Sequence, residues 1–207
     1  MKKRSLIVVL IMAMVLSITA CGAQKHEQKD NPFVGTWTGT LDLTEYVETT
    51  IAAGNADLQK YAQFEDLTFT LTFTFTEDKL SLHLDDASAQ QFITNAEAGI
   101  VAMVDAMVAD VAAANNVTAE DVYAGMSVTR ETYIISVVES MKLDEMVKSM
   151  AEALELNGAY QYDAEKIIVI YDDKTYEEMK YVKGIEDITI TVSDGTNEFA
   201  IPCTKSK

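Results

Sequence analysis

The sequence is short of the residues that carry most catalytic chemistry. Its 207 residues include two histidines, two cysteines, two prolines and one tryptophan. His26 lies in a polar N-terminal stretch, and His83 lies in a short alternating segment with no recognisable nucleophile beside it, so a histidine-dependent triad is not expected. A Gly-x-Ser-x-Gly elbow and a phosphate-binding glycine loop are also missing. We therefore expect a protein that is not an enzyme and needs no cofactor.

Metal-binding spacing is missing as well. His83 is followed by Asp85 and Asp86, which would give two or three ligands, but no second cluster completes a site. The acidic stretch 194–198 lacks the twelve-residue spacing of a calcium loop and is more typical of a hairpin turn. The sequence therefore predicts no metal site.

Positive charge is scarce. Sixteen lysines and arginines stand against 33 aspartates and glutamates, so the net charge is −17. This excess argues against binding of nucleic acid, or of anionic lipid, through a basic patch. Because 48% of the residues are hydrophobic, the chain still has enough apolar side chains for a core.

A long hydrophobic run occurs only near the N-terminus. Three positive charges at positions 2–4 precede an apolar stretch, residues 6–15, that is too short for a comfortable membrane span. The segment ends in Ile-Thr-Ala-Cys at positions 18–21, which is an aliphatic residue and two small ones before a cysteine. It resembles the signal peptide of bacterial lipoproteins. An ordinary secretory signal with an accidental cysteine is the alternative interpretation.

The lipoprotein resemblance implies that residues 1–20 are removed and that Cys21 carries a diacylglyceryl group. Loss of three positive charges would take the net charge from −17 to −20. Two or more acyl chains hold a protein on a membrane where one does not. We therefore expect a lipid-anchored protein on the extracytoplasmic side of the cell membrane, with residues 21–31 as lipidated cysteine and tether and residues 32–207 as a single domain.

Strand patterns occupy both ends of this domain. Residues 67–76 alternate perfectly between apolar side chains and threonine, and residues 77–79 turn the chain into a second alternating stretch, 80–84. Residues 33–43 predict an earlier strand. Two further hairpins are predicted over 158–173 and 188–203, the second turning at Asp194–Gly195 and carrying Cys203 as a small core residue. A reactive thiol or an intermolecular bridge is the alternative for Cys203.

Helical periodicity fills the space between the strand groups, residues 87–156. One stripe consists of Phe92, Ala96, Ile100, Met103, Met107 and Val111. Thr118 and Asp121 resemble a capping box, and residues 130–156 form either one helix or two, ended by Asn157 and Gly158. Thr44 is predicted to cap a shorter helix over 45–53. The fold class is therefore α+β: an antiparallel sheet or barrel with a large helical insertion.

The first strand adds a second resemblance. Its Gly35-x-Trp37 is similar to the start of lipocalin-type barrels, in which the tryptophan lies across the closed end. The resemblance implies a lipocalin-like barrel that binds small apolar ligands, with Trp37, Tyr160 and Tyr162 at the wall or floor of the pocket. The family also packs a basic residue of the last strand on the tryptophan, for which Lys205 is the nearest candidate.

Methionines are concentrated in the helical block. Met103 and Met107 are one helical turn apart, and flexible thioethers of this kind line apolar grooves that bind lipids or hydrophobic peptides. The alternative is that they pack in the core. Two functional hypotheses follow: a membrane-anchored module that binds a small apolar ligand or lipid, or a non-enzymatic interaction or structural lipoprotein with a filled core that contacts another protein through its helices.

Overall fold

The computed structural model describes residues 31–193 and 196–206. The predicted signal peptide, Cys21 and the tether up to residue 30 lie outside the described residues, and so does the predicted turn at Asp194–Gly195. The chain from Phe33 onward forms one compact unit.

Eight antiparallel strands form a closed barrel in which each strand pairs with its neighbours in the chain and β8 returns to β1. Both groups of predicted strands enter this one barrel, so the prediction of a barrel with a helical insertion is confirmed. The strands are β1 (Gly35–Asp42), β2 (Thr68–Phe75), β3 (Lys79–Leu84), β4 (Leu156–Tyr162), β5 (Lys166–Ile170), β6 (Tyr176–Lys183), β7 (Asp187–Ser193) and β8 (Glu198–Lys205).

The barrel core follows the alternation of the sequence. On β2 the four threonines are half-buried on the outer face, and the apolar side chains Phe69, Leu71, Phe73 and Phe75 point inward with at most 1% of their surface exposed. On β1 the inward positions are Trp37, Gly39 and Leu41. Burial of one face on every strand fixes the register, because a slip of one residue would expose these side chains.

The barrel closes through a short pairing of β1 with β8. It joins Trp37 to Lys205, Thr38 to Thr204 and Gly39 to Cys203. A side chain at Gly39 would meet the Cys203 Sγ at 2.5 Å and the Pro202 carbonyl oxygen at 2.9 Å. The missing Cβ therefore lets the two strands approach at the seam.

The helices lie in two of the connections. Helix α1 (Thr44–Gly54) links β1 to β2, with a short 3₁₀ turn at Ala56–Leu58 after it. The connection from β3 to β4 contains α2 (Asp86–Asn115), α3 (Ala119–Gly125), α4 (Arg130–Met141) and α5 (Leu143–Leu154). The Thr118–Asp121 capping box is confirmed at the start of α3. Lys142, in the left-handed region with φ of 50°, separates α4 from α5, so the residues after 130 form two helices.

Three local predictions are wrong. Thr44 does not cap α1 but is its first residue, and its Oγ1 accepts a hydrogen bond of 3.1 Å from the Leu67 N–H instead. Asn157 and Gly158 do not end α5, which stops at Leu154; both lie in β4, where pairing with β3 overrides their tendency to end helices. Val111 is 48% exposed.

The exposure of Val111 reflects a change of partner along α2. The first half of the helix packs on the barrel through Phe92, Ala96 and Ile100. The second half packs on α3 and α4 and buries a different face, with Val104, Val108 and Tyr123 forming a second small core. A single stripe drawn from Phe92 to Val111 cannot follow this change of direction.

The chain connections give the barrel two different ends. The closed end carries Phe33, the turns β2–β3, β4–β5 and β6–β7, and the C-terminus of β8. The helix end carries α1, the helical insertion and the turn β5–β6. Within the described ranges, we find no helix that combines the length and the hydropathy needed to cross a membrane.

Candidate functional site

A cavity of about 280 Å³ lies at the helix end of the barrel. Its floor is formed by inward side chains at the ends of the strands, and its cover by α5 and α1. The floor residues include Leu41, Leu82, Leu156, Met179 and Val192, and the cover residues include Tyr46, Met150, Ala153 and Leu154. The cavity is therefore almost wholly apolar, which suits a ligand without many hydrogen-bonding groups.

The floor is rigid because its side chains belong to the barrel core. Met179 is 1% exposed, and Leu82 and Leu156 are each 4% exposed. The cover is more open: Tyr46 is 40% exposed and its ring meets the edge of Phe199 with the ring centroids 5.5 Å apart. The floor is therefore more tightly packed than the cover.

Two polar side chains lie at the rim on adjacent strands. Glu177 of β6 accepts a hydrogen bond of 2.8 Å from the Tyr171 hydroxyl. Burial, together with that bond to a carboxylate, raises the pKa of Tyr171 to about 12, so the phenol keeps its proton and holds Glu177 in place. Ser193 at the end of β7 donates to the Asn197 carbonyl oxygen at 2.9 Å. The polar groups therefore mark one side of the mouth.

Helix α5 reaches the barrel through a small contact. Val147 is its one fully buried residue, and Met150 and Leu154 turn toward the cavity. The preceding Lys142 is held by an exposed ion pair with Glu145, 3.0 Å long, which contributes little to stability. The cover thus rests on a few apolar contacts.

The predicted ligand-binding aromatics lie at the opposite end of the barrel. Trp37 is 3% exposed, and its Nε1 donates a 2.6 Å hydrogen bond to the Phe33 carbonyl oxygen. The Lys205 ammonium lies 5.4 Å from the centre of the Trp37 ring, within the range of a cation–π contact. The Tyr160 hydroxyl donates to the Thr76 carbonyl oxygen at 2.9 Å.

These aromatic side chains fill the closed end. The ring of Phe33 lies 4.9 Å from the rings of both Tyr162 and Tyr181 and 5.4 Å from that of Phe75. Tyr160 in turn meets Phe75 at 5.3 Å. The structure therefore brings Trp37, Tyr160 and Tyr162 together around a packed plug, and none of the three lines the cavity.

The predicted methionines lie elsewhere too. Met103 is 6% exposed on α2, Met107 is half-buried on the same helix, and neither lines the cavity. Met150 of α5 does line it. The position of two apolar residues in the sequence could have located the cavity. Leu82 and Leu156 point into the barrel and lie close to the two ends of the helical insertion, so a helix of the insertion must cover them.

A second cleft lies between α2, α3 and α4. Arg130 donates from Nε to Asp105 at 2.8 Å and from Nη2 at 2.5 Å, and this contact lowers the pKa of the Asp105 carboxyl. Beneath the pair, Tyr123 is 5% exposed, and its hydroxyl has no hydrogen-bond partner among the described residues. Burial raises the pKa of that phenol. The cleft therefore contains the positive charge of Arg130 and the negative charge of Asp105. Two more carboxylates, those of Glu120 and Glu131, line it.

Metal-binding side chains do not cluster in the part of the chain that the structure describes: no group of three His, Cys, Asp or Glu is placed to hold an ion.

Comparison with protein-family models, with curated proteins and with solved structures gave no match in any of the three.

Proposed function

We propose that the protein is a lipid-anchored, extracytoplasmic lipoprotein whose lipocalin-like barrel binds a small apolar ligand at the helix end. The observation that carries the proposal is the apolar cavity of about 280 Å³ between the barrel floor and α5. Small-molecule pockets usually measure about 300–1,000 Å³. The ligand is therefore small, with an apolar body and at most a few polar groups facing Glu177 and Ser193.

The barrel organisation supports a lipocalin-like interpretation. Trp37 lies on β1 under Lys205 of β8, the two residues are direct partners across the seam, and the adjacent end is plugged by aromatic rings. One filled end and one end with a cavity suit a container for a ligand. The proposal places that ligand at the mouth rather than at Trp37, Tyr160 or Tyr162.

Native mass spectrometry of residues 22–207 with mixed lipids and small apolar compounds tests the binding. We expect a stoichiometric adduct that is lost in Ala153→Trp, because residue 153 is an exposed position on α5 that lines the cavity. Ala109→Trp, at an exposed position of α2 away from the cavity, is the matched control and should keep the adduct. An adduct that survives Ala153→Trp, or no adduct with any compound, would contradict the proposed site.

The lipid anchor is tested separately. When the full chain is produced in a bacterium fed an alkyne-bearing fatty acid, we expect label on the wild-type protein and none on Cys21→Ser. Cys203→Ser is the control and should keep the label, because Cys203 is fully buried in β8. Equal labelling of wild type and Cys21→Ser would exclude acylation at this position.

A second candidate function has its own observation. The helical block exposes several large apolar side chains between 40% and 55%, namely Val111, Val117, Met126, Ile135, Met141 and Met146. Such residues suit contact with another protein. The double substitution Ile135→Glu with Met141→Glu should abolish a purified partner's binding and leave the ligand adduct intact. Unchanged binding of the partner would contradict this second candidate function.

A further inference from the structure

The turn between β6 and β7 carries the most exposed large apolar side chain among the described residues. Ile185 is 99% exposed, and Val182, just before it on the outer face of β6, is 73% exposed. Scattered apolar residues are normal on protein surfaces. Ile185 differs from them because it lies at the tip of a turn, and Val182 lies close to it near the end of β6.

The turn holds this tip firmly. Lys183 pairs with Ile188 across the two strands, and the Gly184 N–H donates to the Asp187 carbonyl oxygen at 3.0 Å. A Cβ at position 184 would meet the Asp187 carboxylate, so the two residues are closely packed in the turn. The chain therefore presents Ile185 on a short hairpin tip rather than on a long loop.

The tip lies at the same end of the barrel as the entry of the N-terminal segment. Phe33 plugs the closed end and touches the ring of Tyr181, on the strand that leads into the turn. Phe33 is twelve residues after Cys21. At about 3.3–3.6 Å per residue, the closed end cannot be more than roughly 40 Å from an acyl group on that cysteine, whatever the conformation between them.

We propose that the β6–β7 turn is a membrane-contact tip: Ile185, backed by Val182, enters the interface of the bilayer in which Cys21 is anchored, and the barrel stands on its closed end. The inference rests on the lipid anchor proposed above. One or two aliphatic side chains are too few to hold a free protein on a membrane, but they act within a tethered molecule at high effective concentration and bias its orientation.

The contact is apolar rather than electrostatic. Lys183 precedes Ile185, and Glu186 and Asp187 follow it, so the turn offers no excess of positive charge to anionic lipid. We therefore expect the contact on neutral phosphatidylcholine and expect it to be insensitive to salt.

The orientation has a consequence for the ligand. Strands of eight residues extend about 25 Å, so the cavity mouth faces away from the bilayer when the closed end rests on it. The ligand is then taken from the aqueous side rather than drawn directly out of the membrane.

The test uses the full lipidated chain in phosphatidylcholine vesicles, with a nitrobenzoxadiazole fluorophore attached at Ile185→Cys. Cys203 is fully buried and burial raises its pKa to about 11, so it does not compete for the label. The matched control is Asp172→Cys, an exposed position in the β5–β6 turn at the helix end. We expect nitroxide-labelled lipid to quench the fluorophore at 185 several-fold more than at 172, with and without salt.

A second variant tests whether Ile185 itself holds the closed end on the membrane, or whether the nearby lipid anchor alone explains the quenching. A fluorophore at Ala164→Cys, exposed in the β4–β5 turn of the closed end, should be quenched, and Ile185→Asp should reduce that quenching several-fold.

The outcomes are distinguishable. Protein that fails to float with the vesicles would overturn the lipid anchor and this inference together. Protein that floats but shows equal quenching at 185 and 172, or quenching at 164 that ignores Ile185→Asp, would overturn the membrane-contact tip alone.

Discussion

The two ends of the barrel are built from the same eight strands but are closed in different ways. At the closed end, Phe33 is 0% exposed and its ring contacts Phe75, Tyr162 and Tyr181. At the helix end, the last inward residues of the strands face a cavity of about 280 Å³ covered by α5. One end is filled by side chains of the barrel and its entering segment, and the other is roofed by separate helices.

Connection length explains this difference. The turns of the closed end join strands through a few residues each, so the end stays narrow and a single aromatic ring plugs it. At the helix end, the connection from β3 to β4 runs from Asp85 to Glu155, and α5 at the end of this connection packs over the opening. Helices are about 10 Å wide and bridge an opening without filling it. Space for a ligand therefore arises where the connections are long.

The largest loss of stability should come from removing the aromatic ring that fills the closed end. Phe33→Ala removes a fully buried ring, and we expect it to lower the free energy of unfolding by about 3–5 kcal/mol. The same change at the cavity, Phe199→Ala, removes a half-buried ring and should cost about 1 kcal/mol. Urea denaturation of both variants measures the difference. Equal losses would show that the two ends are packed alike.

The seam between β1 and β8 should be the next most sensitive feature. Gly39→Ala places a methyl group against the Cys203 Sγ and the Pro202 carbonyl oxygen, so we expect a loss near the upper end of the usual 1–3 kcal/mol for overpacking. Gly54→Ala, at the end of α1 with open space around it, is the control and should change stability little. Thermal unfolding compares them, and a neutral Gly39→Ala would mean that the seam opens easily.

A pH dependence should arise from Cys203 at the same seam. Burial raises the pKa of its thiol from 9.0 to about 11. Below pH 9 both states keep the proton; between pH 9 and 11 only the unfolded state releases it, so the free energy of unfolding falls. At about 1.4 kcal/mol per pH unit the loss approaches roughly 2 kcal/mol by pH 11.

The control for this pH dependence is Cys203→Ala, which keeps every other titrating group. Its free energy of unfolding should fall less steeply between pH 9 and 11 than that of the wild type. Parallel curves for the two proteins would contradict a raised thiol pKa.

The smallest effect should come from the cation above the tryptophan. Lys205→Met keeps the aliphatic cover of Trp37 but removes the ammonium at 5.4 Å, and we expect a loss of about 0.5–1 kcal/mol. Trp37 fluorescence during urea denaturation reports it directly, because the protein has one tryptophan. Lys205→Arg should restore the wild-type midpoint; if it does not, the charge is not the stabilising feature.

Local patterns predicted most of the elements and little of the cavity. The alternation of 67–76, the hairpin after it and the capping box at Thr118 depend on neighbouring residues, and each is confirmed. Asn157 and Gly158 lie in a strand because pairing with β3, which is distant in the chain, outweighs their local tendency to end a helix. Of the aromatic side chains predicted for a pocket, Tyr160 and Tyr162 stack on each other at the closed end, and Trp37 is bonded there to the Phe33 carbonyl oxygen.

The sequence by itself determined which faces are apolar, because side chains alternate every two residues on a strand and recur every 3.6 on a helix. Only the tertiary structure decided which of those faces meet. The cavity joins Leu41 of β1, Met179 of β6 and Met150 of α5, which are far apart in the chain. Their meeting depends on closure of the barrel between β1 and β8 and on the direction in which the insertion folds back, and neither is a local property of the residues involved.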